Sequence, residues 1–187
     1  MTSCGEPAPG AGRKPPIVLV LGVSGSGKTT TGKALAERLA VTFVEGDDFH
    51  SAAGLARMTA GRALDDADRA PWLHALADRI RHSAEAGAGL VVACSALKRA
   101  YRDELRAAAD GRLWCLYLAL DRDTARDRVA RRTGHFMPAR LVDSQFATLE
   151  PPGPDEPGMT LDATAVTAAG LARVAAAVAS YGRSAGG

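Results

Sequence analysis

Residues Gly22–Thr29 read G-V-S-G-S-G-K-T, a glycine-rich run closed by a lysine and a hydroxyl residue. The run matches G-x-x-x-x-G-K-[ST] in full. Gly22, Gly25 and Gly27 let backbone N–H groups converge on phosphate oxygens with no Cβ in the way, and Val23, Ser24, Ser26 and Thr30 complete the loop and its exit. Lys28 is then placed to reach the β- and γ-phosphates, and the Thr29 hydroxyl to sit on Mg²⁺. No N-K-x-D guanine signature occurs in the chain, which favours ATP as the nucleotide.

A second group of residues suits an acceptor. The run E-G-D-D-F-H (Glu45–His50) sets two adjacent carboxylates where one can orient a hydroxyl or take its proton. Asp47 is the candidate; Asp48 is a rival that adjacency alone cannot rank, and capping of the next helix is the competing role for either. His50 fits a structural hydrogen bond as well as a substrate contact. Further on, C-S-A-L-K (Cys94–Lys98) stands where many phosphate-loop ATPases carry a metal-holding acid. Lys98 is one of only four lysines, and Arg102 follows it one helical turn later, so the two suit an anionic substrate or a solvated helix face. Arg128 and Arg132 are likewise four apart, just before T-G-H-F, and can clamp ATP as a lid closes.

These residues need a scaffold that brings them together. Ile17–Leu21, Thr42–Glu45, Leu90–Cys94, Leu113–Leu120 and Met159–Asp162 read as strands, most of them unbroken apolar runs typical of strands buried on both faces. Between them the apolar spacing predicts helices over 28–39, 51–60, 70–85, 98–109, 123–132, 138–150 and 171–181, with Pro71 in the first turn of the third. Alternating strands and helices mean an α/β fold, a mostly parallel five-stranded sheet with helices on both faces. Ligands in such sheets bind beyond the carboxyl ends of the strands, and the candidate residues fall in those turns.

The 187 residues suit one domain, 17–182, with a lid near 128–140, a disordered tail over 1–16 and a flexible end over 183–187. A net charge of +2 gives no reason to expect nucleic acid or a membrane surface as partner. No apolar run nears the roughly 18 residues of a membrane span. Cys94 and Cys115 lie in apolar runs and, with Cys4, read as reduced thiols of a cytoplasmic protein. The histidines and cysteines show no metal-ligand spacing. Trp72 and Trp114 read as core.

The chain resembles the small P-loop gluconate kinases in a series of blocks. These are V-S-G-S-G-K-T (Val23–Thr29), G-D-D-F-H (Gly46–His50), L-D-D-A-D-R-A-P-W-L (Leu64–Leu73) and C-S-A-L-K-R-A-Y-R-D-E-L-R (Cys94–Arg106). R-x-x-x-R-x-G-H-F (Arg128–Phe136) and S-Q-F-A-T-L-E-P-P (Ser144–Pro152) extend them. The resemblance implies the fold of nucleoside monophosphate kinases, a homodimer, and transfer of the γ-phosphoryl group of ATP to the 6-hydroxyl of D-gluconate with Mg²⁺. By position it implies Asp47 as the hydroxyl-side carboxylate, Lys98 and Arg102 on the sugar-acid side, and Arg128 and Arg132 as lid arginines. Arg69 and His135, inside the same blocks, fall with the acceptor. A kinase of another hydroxy acid, shikimate-like, is the nearest rival; a nucleotide-binding regulator with no acceptor is the other.

Overall fold

The computed structural model describes residues 15–131 and 140–184. Five strands, β1 (Ile17–Leu21), β2 (Thr42–Glu45), β3 (Leu90–Ala93), β4 (Leu113–Ala119) and β5 (Gly158–Asp162), form one parallel sheet in the order β2-β3-β1-β4-β5. β1 lies at the centre, with Ile17 beside Leu90 on one flank and beside Leu113 on the other. All five of its residues are buried, as an all-apolar central strand requires.

The pleat of β1 divides the core. Ile17, Leu19 and Leu21 face helices α3 (Asp66–Glu85) and α4 (Arg99–Ala108), packing with Trp72, Leu76, Ile80 and Leu105. Val18 and Val20 face the other way, onto α1 (Lys28–Leu39), α5 (Arg122–Ala130) and α7 (Ala168–Ser184) through Leu35, Ala125, Val174 and Val178. α2 (Ala52–Thr59) and α6 (Arg140–Thr148) meet in a smaller apolar cluster of Met58, Leu64 and Leu141 at the edge of the cleft. Cys94 and Cys115 are free and buried, and burial pushes their thiols up to about 12 and about 11.

The boundaries differ from the sequence expectation in places with a physical reason. α3 begins at Asp66 rather than Ala70, because Asp65 and Asp68 form a reciprocal capping box. Pro71 therefore sits inside the helix, past the first turn. α7 runs through Ser184, past the expected end of the domain, and the domain also starts earlier than Ile17. The Leu90 N–H donates to the Pro16 carbonyl at 2.9 Å, so residue 16 continues the pairing of the central strand with β3 rather than lying in a tail. Residues 1–14, 132–139 and 185–187 lie outside the description, and with them most of the expected tail and lid.

Candidate active site

The phosphate loop leaves β1 and enters α1 through Gly27, which caps the helix at φ 86°, in the left-handed region that suits glycine. The Lys28 ammonium donates to the Val23 carbonyl at 3.0 Å, curling back over the loop. The Thr29 hydroxyl donates to Glu45 Oε2 at 2.6 Å, joining α1 to the end of β2. Burial raises the Glu45 carboxyl above its ordinary value, opposed by the Thr29 hydrogen bond and the charge of Lys28. Ser26 carries a buried hydroxyl with no hydrogen-bond partner among the described residues, the kind of orphan a bound phosphate would satisfy.

Thr29 and Glu45 are hard oxygen donors side by side. Among the described residues no cluster of three or more metal-ligating side chains exists. A two-donor set beside a phosphate loop suits Mg²⁺, since that ion keeps several waters and takes the rest of its shell from phosphates. The metal fits here. Glu45 is a residue the sequence reading passed over, although it opens the E-G-D-D-F-H run.

Asp47 and Asp48 diverge. The chain after β2 turns through a short 3₁₀ segment, Gly46–Phe49, tight against β3. A Cβ on Gly46 would lie 2.6 Å from the Ala93 carbonyl oxygen, so only glycine allows the approach. The turn sends Asp47 into a cavity shared with Ser24 and Lys28, while Asp48 lines the opposite side with Thr29 and Glu45. His50 also lines the cavity, its ring stacked on Trp72 at 4.5 Å between centroids and 6° between planes. Trp72 Nε1–H in turn donates to the Gly46 carbonyl at 2.7 Å. Burial lowers the His50 pKa, which keeps the ring neutral at neutral pH. Trp72 is thus core and cavity wall at once, and Trp114 is core alone.

Besides Lys28, Arg69 from the first turns of α3 is a cation lining this cavity. Its guanidinium donates to the Tyr101 hydroxyl at 3.2 Å and stands 3.7 Å from Asp66. Asp66 binds Lys98 at 2.7 Å and the Tyr101 hydroxyl as well. Hydrogen bonds from Lys98 and Tyr101 hold the Asp66 carboxyl below the usual carboxylate range. Lys98 is the N-cap of α4, at the rim, with its ammonium bound to Asp66; it does not line the cavity.

Arg102 corrects the expectation of a cationic pair on one face. Its side chain is fully buried (0% exposed) and forms two hydrogen bonds to Glu156, at 2.7 and 2.8 Å. It also donates to the carbonyls of Ala96 and Leu97, in the turn that follows β3. Ala96 holds φ 40° in that turn, a strained value for a residue with a Cβ. Arg102 shapes the turn from behind and presents no charge to the cavity.

Arg128 reaches the phosphate loop from α5, donating to the carbonyls of Gly25 at 3.1 Å and Ala163 at 3.2 Å. It lines a separate cleft with Ser26, Gly27, Thr30, Val166 and Leu171, on the far side of the loop from Asp47. Arg132 and His135 lie outside the described residues. Gln145, on α6, is a further wall residue that the sequence reading did not single out; its side-chain oxygen accepts from the Ser24 backbone N–H at 2.7 Å.

A phosphate loop at the carboxyl end of a parallel sheet, opening onto a cavity with a carboxylate and a guanidinium, defines a P-loop kinase of small molecules. Residues 17–152 match the family described as AAA domain. A gluconokinase of Gluconobacter oxydans (strain 621H) is 50% identical over 148 residues, 78% of this chain and 82% of that protein. The thermosensitive gluconokinase of Escherichia coli (strain K12) is 42% identical over 138 residues, 74% of this chain and 73% of that protein. The crystal structure of a gluconokinase from Sinorhizobium meliloti 1021 aligns with a TM-score of 0.76 and 37% identity over 93% of this chain and 95% of its own. The chain belongs to the gluconokinase family of P-loop kinases.

Proposed function

We propose that the protein transfers the γ-phosphoryl group of ATP to the 6-hydroxyl of D-gluconate, releasing 6-phospho-D-gluconate and ADP. The observation that carries this reading is a single cavity in which Lys28 of the phosphate loop faces Asp47 and Arg69. A phosphate cation, a hydroxyl-orienting carboxylate and a guanidinium for an acid are the three groups this reaction asks of the protein. The 50% identity to the Gluconobacter gluconokinase supports gluconate as that acid over shikimate or a regulator with no acceptor.

Phosphoryl transfer calls for alignment and charge stabilisation more than for covalent help. Asp47 orients the acceptor hydroxyl and accepts its proton as the oxygen attacks. Lys28 turns from the Val23 carbonyl to the phosphates and stabilises charge on the oxygens of the transferring group. The Thr29 hydroxyl and Glu45 would hold Mg²⁺, which when bound neutralises the β- and γ-phosphates. Arg128 braces the loop at Gly25 on the nucleotide side. Arg132 is assigned with it to the nucleotide on its spacing from Arg128 and on the resemblance, and His135 to the acceptor on the resemblance alone. The family resemblance supports a homodimer, and the free, buried Cys94 and Cys115 support a cytoplasmic setting. Among the described residues no helix is long and apolar enough to cross a membrane.

Arg69 takes the substrate carboxylate, and Lys98 acts on it indirectly by holding Asp66. A charge-assisted hydrogen bond is worth about 1.5–3 kcal/mol, or about one to two decades in affinity. Arg69→Met is therefore expected to raise KM for gluconate by at least about tenfold and to narrow the preference over glucose, leaving KM for ATP within about threefold. Lys98→Met is expected to do less. Steady-state kinetics against both substrates check the pair, and a larger loss at Lys98 than at Arg69 would return the acid to the rim.

A further inference from the structure

Gln145 joins two parts of the chain 121 residues apart in sequence, and the join is buried. The side chain is 8% exposed on α6, yet it reaches the phosphate loop and lines the same cavity as Lys28 and Asp47. Its partner is a backbone N–H, which can only donate. The side-chain oxygen must therefore face Ser24, and this fixes the orientation of the whole amide. The amide nitrogen, with two hydrogens to donate, is left for another acceptor. Among the described residues it has no hydrogen-bond partner. The nitrogen is not one of the fully buried unpaired atoms, so it stays accessible to an acceptor that enters the cavity.

The neighbours of that nitrogen in the cavity wall say what the acceptor is. Ser144, Asp47, His50 and Arg69 surround the same space, whereas Arg128 and the cleft beside α7 lie across the loop. A polyol bound with one hydroxyl at Asp47 and its carboxylate at Arg69 carries further hydroxyl oxygens between them. We propose that Gln145 is a two-sided contact of the site: its oxygen holds the phosphate loop at Ser24, and its amide nitrogen donates to a hydroxyl oxygen of the bound sugar acid. This assignment rests on gluconate as the acceptor. It makes Gln145 a specificity-determining residue on one side and a positioning residue for the phosphate loop on the other.

Two variants separate the two sides. Gln145→Glu keeps an oxygen for the Ser24 N–H and removes the donor; Gln145→Met keeps the length and removes both. Gln145→Glu is expected to raise KM for gluconate by at least about tenfold while KM for ATP stays within about threefold. Gln145→Met is expected to raise both constants and to weaken binding of a non-hydrolysable ATP analogue, measured by calorimetry without any acceptor. Circular dichroism on both variants establishes that they fold, and the near-isosteric Gln145→Glu carries the test if the other does not. Unchanged gluconate KM in Gln145→Glu would overturn the donor assignment, and unchanged analogue affinity in Gln145→Met would overturn the loop contact. Wild-type protein assayed alongside keeps the readings apart: no turnover of gluconate by wild type defeats the substrate reading and the donor assignment with it, while the calorimetric comparison still decides the Ser24 contact.

Discussion

Asp47→Asn is expected to lower kcat by about 10²–10⁴, the usual contribution of a positioned acid–base group. The carboxylate lines the cavity opposite Lys28, and His50 Nε2 stands 3.9 Å from its Oδ1. Asparagine keeps the shape and one oxygen but cannot take a proton, so the loss falls on the chemical step. Affinity for ATP should change by less than about threefold, because Asp47 is assigned to the acceptor side of the cavity. Asp48→Asn is the control: it lies on the side of Thr29 and Glu45, where a change acts on metal dependence rather than on the acceptor. Single-turnover rates with saturating ATP distinguish the two. A normal chemical step in Asp47→Asn would remove it from the reaction.

Arg102→Met is expected to destabilise the fold by about 3–5 kcal/mol, the cost of stranding one member of a buried ion pair. The stranded group is Glu156, 1% exposed, which would keep only Arg106 and the Gly153 N–H as donors. For a chain of this size that corresponds to a fall in Tm of roughly 6–20 °C. The carbonyls of Ala96 and Leu97 would lose their Arg102 hydrogen bonds as well, Leu97 keeping that from the Glu150 N–H, so gluconate turnover would decline with stability instead of through a tenfold KM change alone. The pair also sets an acid limit. The Arg102 hydrogen bonds hold the Glu156 carboxyl down to about 2, against an ordinary value of 4.5. A depressed carboxyl contributes stability that is full above pH 4.5 and is lost as pH falls through about 2. Glu156→Gln should therefore flatten the loss of stability between pH 4.5 and 2 while lowering stability at neutral pH. Denaturant midpoints across that range check both effects.

The parts legible in the sequence are those whose signal is local. The strand runs, the phosphate loop and the helix after it need only apolar periodicity and glycine spacing, and the structure keeps them within a residue or two. α3 shows two local signals in conflict. Pro71 points to a start near Ala70, while Asp65 and Asp68 cap the helix four residues earlier and win. The capping box prevails because it satisfies two backbone donors, whereas Pro71 only deprives the Ala67 carbonyl of a partner.

The site was legible only as far as residue type. Asp47 and Asp48 are equivalent as adjacent acids until the 3₁₀ turn at Gly46 sends them to opposite sides of the strand end. Lys98 and Arg102 share a helical face by spacing, but the segment after α6 brings Glu156 against that face and takes Arg102 into the core. Nothing within four residues of Arg102 announces a partner 54 residues away. Gln145 escapes for the same reason, since its value lies in what the fold sets opposite it, whereas Arg69 is reached only through the family blocks and not from its spacing.

If one cavity joins ATP to a sugar acid, ADP release must depend on that acid, and a coupled ADP-release assay reads this dependence. Purified protein with Mg²⁺ and ATP is offered D-gluconate, glucose, shikimate and nucleoside monophosphates in parallel, with the product of each reaction identified by mass and phosphorus NMR. Rapid ADP release is expected with gluconate, with a single phosphate ester on its 6-hydroxyl and little release with the neutral sugar or the other acceptors. Acceptor-independent ADP release, or faster turnover of glucose, shikimate or a nucleoside monophosphate than of gluconate, would contradict that dependence.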